Sequence, residues 1–121
     1  MKRVSAFAIV GMVGFIADAG AFTLFYYFLE QPMWARVFAF WVAASVTWLG
    51  NRYFTFSECD KSHKLRQWVR HMAVAHVAGI LNLAVFYVTA LWGHVAIAFV
   101  AGIGAGLCLN YMMSSRLVFK T

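Results

Sequence analysis

Ala39 to Phe56 reads AFWVAASVTWLGNRYFTF, and the chain carries this pattern twice. Ala39, Ala43, Thr47 and Asn51 recur every four residues, and 63 positions later the ladder returns as Gly102, Gly106, Asn110 and Ser114. Each ladder runs into an arginine and a short apolar tail: Asn51-Arg52-Tyr53-Phe54-Thr55-Phe56, then Ser114-Ser115-Arg116-Leu117-Val118-Phe119. Residues four apart share one helix face. Each copy is therefore expected to be a helix with a small, polar seam and a cationic end.

The rest of the chain sets those helices in a membrane. Of its 121 residues, 64% are hydrophobic and 12% charged, where a soluble domain has about a quarter charged. Its apolar runs reach the roughly 20 residues that span a bilayer. The net charge of +6 comes from cations at span ends, which points to orientation and anionic membrane lipids. No nucleic-acid module accompanies it, so nucleic acid is not an expected partner. Cys59 and Cys108 give neither a disulfide framework nor a metal-ligand spacing, and no metal or cofactor is expected. Lys2-Arg3 before an apolar run mimics a signal peptide, but the run continues to Leu29 without a small-residue cleavage site, so it reads as a retained first span.

The expected fold is all-α, a single transmembrane domain over 1–121. The spans run from about Ser5 to Leu29, Trp34 to Phe56, Trp68 to Trp92 and Val95 to Phe119. Glu30-Gln31-Pro32 and Gly93-His94 make the two tight turns, and a polar loop covers about 57–67. Shifting the face Gly11, Gly14, Asp18, Ala21 by 64 gives Ala75, Ala78, Asn82, Val85. The chain thus reads as two tandem two-helix repeats, about 3–56 and 68–119. An even number of spans per repeat gives both repeats the same orientation. Of ten Lys and Arg, only Arg36 flanks the side of the tight turns. The positive-inside rule then puts both termini and the middle loop in the cytoplasm.

The polar residues within the spans are the candidate site. Asp18 lies roughly 20 Å along its helix from Ser5, where a charge costs at least about 2.5 kcal/mol. It reads either as a substrate, ion or proton site, or as a structural hydrogen bond from a protonated carboxyl. Asn82 answers it in the second repeat. Gly102 and Gly106 are packing residues that let helices approach. Thr47, Asn51, Asn110 and Ser114 carry the seams toward the cytoplasm, where they bond another helix or a ligand. Arg52 and Arg116 at matched helix ends are either snorkelling anchors or a phosphate site, for which the guanidinium fork is suited. Arg36 anchors the outer end of span 2 or meets a phosphate there. His76, inside span 3, is a packing residue or a proton carrier. No catalytic triad, paired carboxylates or phosphate-binding loop appears, so an enzyme is disfavoured.

The chain resembles the GtrA-like family of small four-span membrane proteins. The resemblance rests on Gly11-x-x-Gly14-Phe15-x-x-Asp18, on Arg36-Val37-Phe38-Ala39, and on the Asn/Ser-Arg-x-aromatic-x-Phe close of each half, and it covers nearly the whole chain. Three positions depart from the pattern: Thr47 stands where Asn is expected, Ser115 occupies the arginine column, and Leu117 the aromatic one. One residue is about 100° of helix rotation, so Arg116 is aimed differently from Arg52. The resemblance implies translocation of a polyprenyl-phosphate-linked sugar, such as undecaprenyl-phosphate glucose, across the bacterial cytoplasmic membrane for cell-surface polysaccharide or teichoic acid glycosylation. Arg52, Arg116 and Arg36 would then meet phosphate, and Asn51, Ser114, Thr47 and Asn110 phosphate or sugar hydroxyls. Asp18 and Asn82 would lie on the path. Four spans make a thin wall, so a homodimer or larger assembly is expected. Two alternatives remain: an accessory subunit recruiting a membrane glycosyltransferase, and a proton-coupled exporter of small cations.

Overall fold

The computed structural model describes residues 2–120 as four helices and their connections. The helices are α1 (Lys2–Leu29), α2 (Pro32–Gly50), α3 (Lys64–Trp92) and α4 (Val95–Met113). α2 and α4 each continue into a five-residue π-helical turn, Asn51–Thr55 and Ser114–Val118. With those turns included, all four are long and apolar enough to cross a membrane. The chain is a multi-pass membrane protein.

The turns follow from local chemistry. Glu30 takes a φ of 56°, the left-handed conformation that closes helices. Pro32 then opens α2, where its missing N–H has no intrahelical partner to lose. At the other tight turn, His94 Nδ1 accepts the Ala96 amide at 3.0 Å and caps α4. The expected loop over 57–67 is shorter than the sequence suggested, because α3 begins at Lys64. Lys, Leu, Arg and Gln are all good helix formers, and Gln67 is buried, which ties this first turn to the bundle. Within the loop, the Ser62 hydroxyl and amide both donate to Asp60 and hold its carboxyl below the usual range.

α1 packs along α2 and α3 along α4, giving two antiparallel hairpins. Small residues permit the close approach in each. A Cβ on Gly14 would run into the Thr47 side chain and one on Gly50 would stand 2.8 Å from Val10. In the second hairpin a Cβ on Gly102 would lie 2.6 Å from Asn82 Oδ1 and 2.7 Å from its backbone oxygen.

The hairpins meet at the end that carries the loop. Phe56 and Phe119 stack there at 5.0 Å and 8°, with Phe7 and Tyr111 set against them. These residues, with Trp48, Cys59, Val74 and Val118, form the apolar core. The start of α1, the ends of α2 and α4 and the start of α3 therefore gather at one end. The Asp60 amide also donates to the Lys120 carbonyl at 2.7 Å, joining loop to tail. Along α2 and α3 the hairpins are bridged by Ser45 with Trp68, Thr47 with His71 and Trp41 with His76. Among the described residues, every side-chain hydrogen bond between the hairpins lies at the level of Trp41 and His76 or nearer the loop end.

Candidate substrate groove

A groove of about 260 Å³ opens between the hairpins, and each helix gives it four residues. α1 supplies Gly11, Gly14, Phe15 and Asp18, and α2 supplies Phe40, Ala43, Ala44 and Thr47. α3 supplies Ala75, Ala78, Gly79 and Asn82, and α4 supplies Ile103, Gly106, Leu107 and Asn110. Every set has the spacing i, i+3, i+4, i+7 of a single helix face. The α3 set is the α1 set moved by 64, and the α4 set is the α2 set moved by 63. Small residues leave the space, since Gly and Ala fill about half the lining positions.

Four polar side chains break this apolar wall, at two levels. Asp18 and Asn82 sit toward the tight turns. Thr47 and Asn110 sit toward the loop end: Thr47 packs on Gly14, four residues from Asp18, and Gly106, four residues from Asn110, packs on Asn82, so the levels differ by about one to two helical turns. The Thr47 hydroxyl donates to the Ala44 carbonyl at 2.9 Å and contacts His71 Nε2 at 3.2 Å. Asn110 Oδ1 accepts from the Ser114 hydroxyl at 2.9 Å. Asp18 Oδ1 accepts from Arg36 Nη2 at 2.7 Å. This is the one ion pair among the described residues. Arg36 starts nearer the tight turns and reaches down to the carboxylate with its guanidinium over the Phe22 ring, 4.5 Å from the centroid.

The other sequence candidates lie outside the groove. Arg52 is 2% exposed. Its Nη1 donates to Gln67 Oε1 at 2.6 Å and its Nη2 to the Lys61 carbonyl at 2.7 Å, and the buried Nε has no partner in the protein. Arg116, one register position later, is exposed. Asn51 and Ser114 are buried and begin the two π turns, whose wide bonds run from Phe56 N to Asn51 O and from Phe119 N to Ser114 O. Asn51 Oδ1 also accepts from Thr55. His76 is exposed, receives Trp41 Nε1 at 3.3 Å and donates from Nδ1 to the Met72 carbonyl, so it bridges α2 and α3.

Sequence reasoning missed two residues at the loop end. Gln67 Oε1 receives both Arg52 and Trp48 Nε1, while its amide nitrogen donates to the Asp60 carbonyl at 3.2 Å. His71, 1% exposed, backs Thr47. The signal is available in the sequence: Gln67, His71, Val74, Ala75 and Ala78 form one buried helical stripe, but the polar run around Gln67 reads as loop.

No curated protein sequence matches the chain. The family model described as GtrA/DPMS, transmembrane domain, matches residues 6–119. That match takes in α1 from its fifth residue, the other three helices, both π turns and every residue of the groove, and the chain belongs to the GtrA/DPMS transmembrane-domain family.

Proposed function

We propose that the protein translocates a polyprenyl-phosphate-linked sugar across the bacterial cytoplasmic membrane for cell-surface polysaccharide or teichoic acid glycosylation. The observation that carries this reading is the groove: a slot at mid-helix depth, walled by small residues from all four helices and holding polar groups at two levels. A lipid-linked sugar needs such a path, because its hydroxyls lose water in hydrocarbon while its tail stays in lipid. Thr47, Asn82 and Asn110 meet the sugar hydroxyls. The Asp18–Arg36 pair lies across the turn-side exit, where Arg36 is positioned to exchange carboxylate for phosphate. Arg116 is the exposed guanidinium for phosphate at the loop end. Arg52, with both terminal nitrogens engaged, holds the loop on the bundle. Membership of a family associated with lipid-linked sugar translocation supports the same reading.

Proton-coupled export of cations fits less well, since the intramembrane carboxylate already faces a fixed guanidinium. Both repeats keep one orientation in this reading, both termini are cytoplasmic, and a second copy covers the lipid-facing side of the groove. The test is transbilayer movement of a labelled polyprenyl-phosphate sugar in proteoliposomes holding only this protein. Asn82→Leu and Asn110→Leu should slow it at least tenfold. Equal rates in protein-free liposomes, or in both variants, would overturn the proposal.

A further inference from the structure

We infer that the loop end carries a second site, separate from the groove, which binds a single-chain lipid phosphomonoester. Two adjoining cavities make it. One, of about 130 Å³, is lined by Asp60, His63, Arg66, Gln67, Arg70, Val118 and Lys120. The other, of about 340 Å³, is an apolar slot between α3 and the end of α4, lined mainly by Ala73, Val74, Val77, Met113 and Leu117. Arg70 and Lys120 belong to both. The cationic cavity thus continues directly into hydrocarbon-facing space, the arrangement an amphiphile with an anionic head requires.

Charge selects the head. Arg66, Arg70 and Lys120 stand against the single carboxylate of Asp60, leaving about two positive charges when His63 is neutral. A phosphomonoester carries about −1.5 to −2 at neutral pH, whereas a sugar-bearing phosphodiester carries one negative charge. Arg66 and Arg70 are four apart on the first turns of α3, so both guanidinium forks are available to one phosphate. The start of this helix adds its own positive end, and no side chain caps it. The backbone bond from Asp60 to Lys120 holds the two sides of the cavity together.

The slot selects the tail. It lies between two neighbouring helices and offers one channel, which suits a single chain over a two-chain phospholipid. It uses Ala73, Val74 and Val77 of α3, a different face from Ala75, Ala78 and Asn82 in the groove. The site therefore prefers a polyprenyl phosphate without a sugar to the sugar-loaded carrier. Its role as the cytoplasmic position of the sugar-free carrier rests on the translocation reading. The binding itself does not.

The experiment measures equilibrium binding and thermal stabilisation of the purified protein in detergent, with no translocation step. Undecaprenyl phosphate should bind and raise the melting temperature, more strongly than its sugar-linked diester. Arg66→Gln with Arg70→Gln should weaken its binding at least about tenfold, given the usual strength of charge-assisted bonds. Lys120→Gln should act in the same direction, and Ala73→Trp should weaken binding by filling the slot. Melting of the ligand-free variants checks that each is folded. Binding unaffected by the arginine pair would overturn the inference. So would equal stabilisation by undecaprenol, by phosphatidylglycerol or by inorganic phosphate. Failure here with translocation intact removes this site and leaves the groove reading. Binding without translocation does the reverse.

Discussion

Arg36 Nη2 sits 2.7 Å from Asp18 Oδ1, so the one cation on the tight-turn side is spent on the one acid inside the spans. The pair gives Asp18 a charged partner at a depth where a lone carboxylate is costly. Arg36→Gln should lower the melting temperature in detergent, because the carboxylate is left without its guanidinium. Adding Asp18→Asn should restore most of the loss. Residues in contact couple by about 0.5–3 kcal/mol, and both side chains keep some exposure, so the low end is expected. Losses that simply add in the double variant would show that the two do not act as a pair.

Two glycines of α4 make a matched test of helix packing. Gly102→Ala places a methyl against the backbone oxygen of Asn82, which cannot swing aside. A loss of about 1–3 kcal/mol is expected, the usual cost of overpacking. Gly104→Ala meets nothing within 4 Å and should be neutral or gain up to about 1 kcal/mol from helix propensity. Thermal unfolding of the two variants side by side decides it. A stable Gly102→Ala would mean that the α3–α4 contact is looser than described.

The two repeat-end arginines should separate cleanly. Arg52→Ala removes two charge-assisted bonds that hold Gln67 and the Lys61 carbonyl, each worth about 1.5–3 kcal/mol. It should lower the melting temperature strongly and speed proteolysis of the middle loop. Arg116→Ala, exposed, should leave stability nearly unchanged and weaken binding of a polyprenyl-phosphate sugar. Reversal of the two phenotypes would return phosphate capture to Arg52.

The proposed orientation rests on cation placement and is checked by labelling. In a background with Cys59 and Cys108 replaced, Cys at position 94 should react with an impermeant reagent in intact cells. Cys at position 62 should react only after lysis. Labelling at 62 from outside would invert the topology.

Much of this was legible in the sequence. The four spans came from apolar run length, and the groove residues Asp18, Thr47, Asn82 and Asn110 from polar positions repeating on a helical face. Three features were not legible. The helical start at Lys64 was hidden because charge suggests a loop, whereas propensity and the burial of Gln67 decide for helix. The Arg52 environment was hidden because a guanidinium at a span end looks the same from sequence whether it faces lipid headgroups or its own loop. The π turns were hidden too, since the extra residue in each turn leaves no mark in hydrophobic spacing.

Among the described residues, side-chain hydrogen bonds tie the hairpins to each other only from the loop end to the level of Trp41 and His76, and this gives the molecule leverage. From His76 to Trp92, α3 runs on for about 24 Å at the helical rise. Tilting one hairpin by about 10° about the tied end would carry its far tip about 4 Å over that length, with every contact inside each hairpin kept. Asp18 and Arg36 lie within the moving arm of the first hairpin, while Asn82 lies in that of the second. Small rotations near the stacked Phe56 and Phe119 would thereby be converted into a change of gap at the turn-side end of the groove.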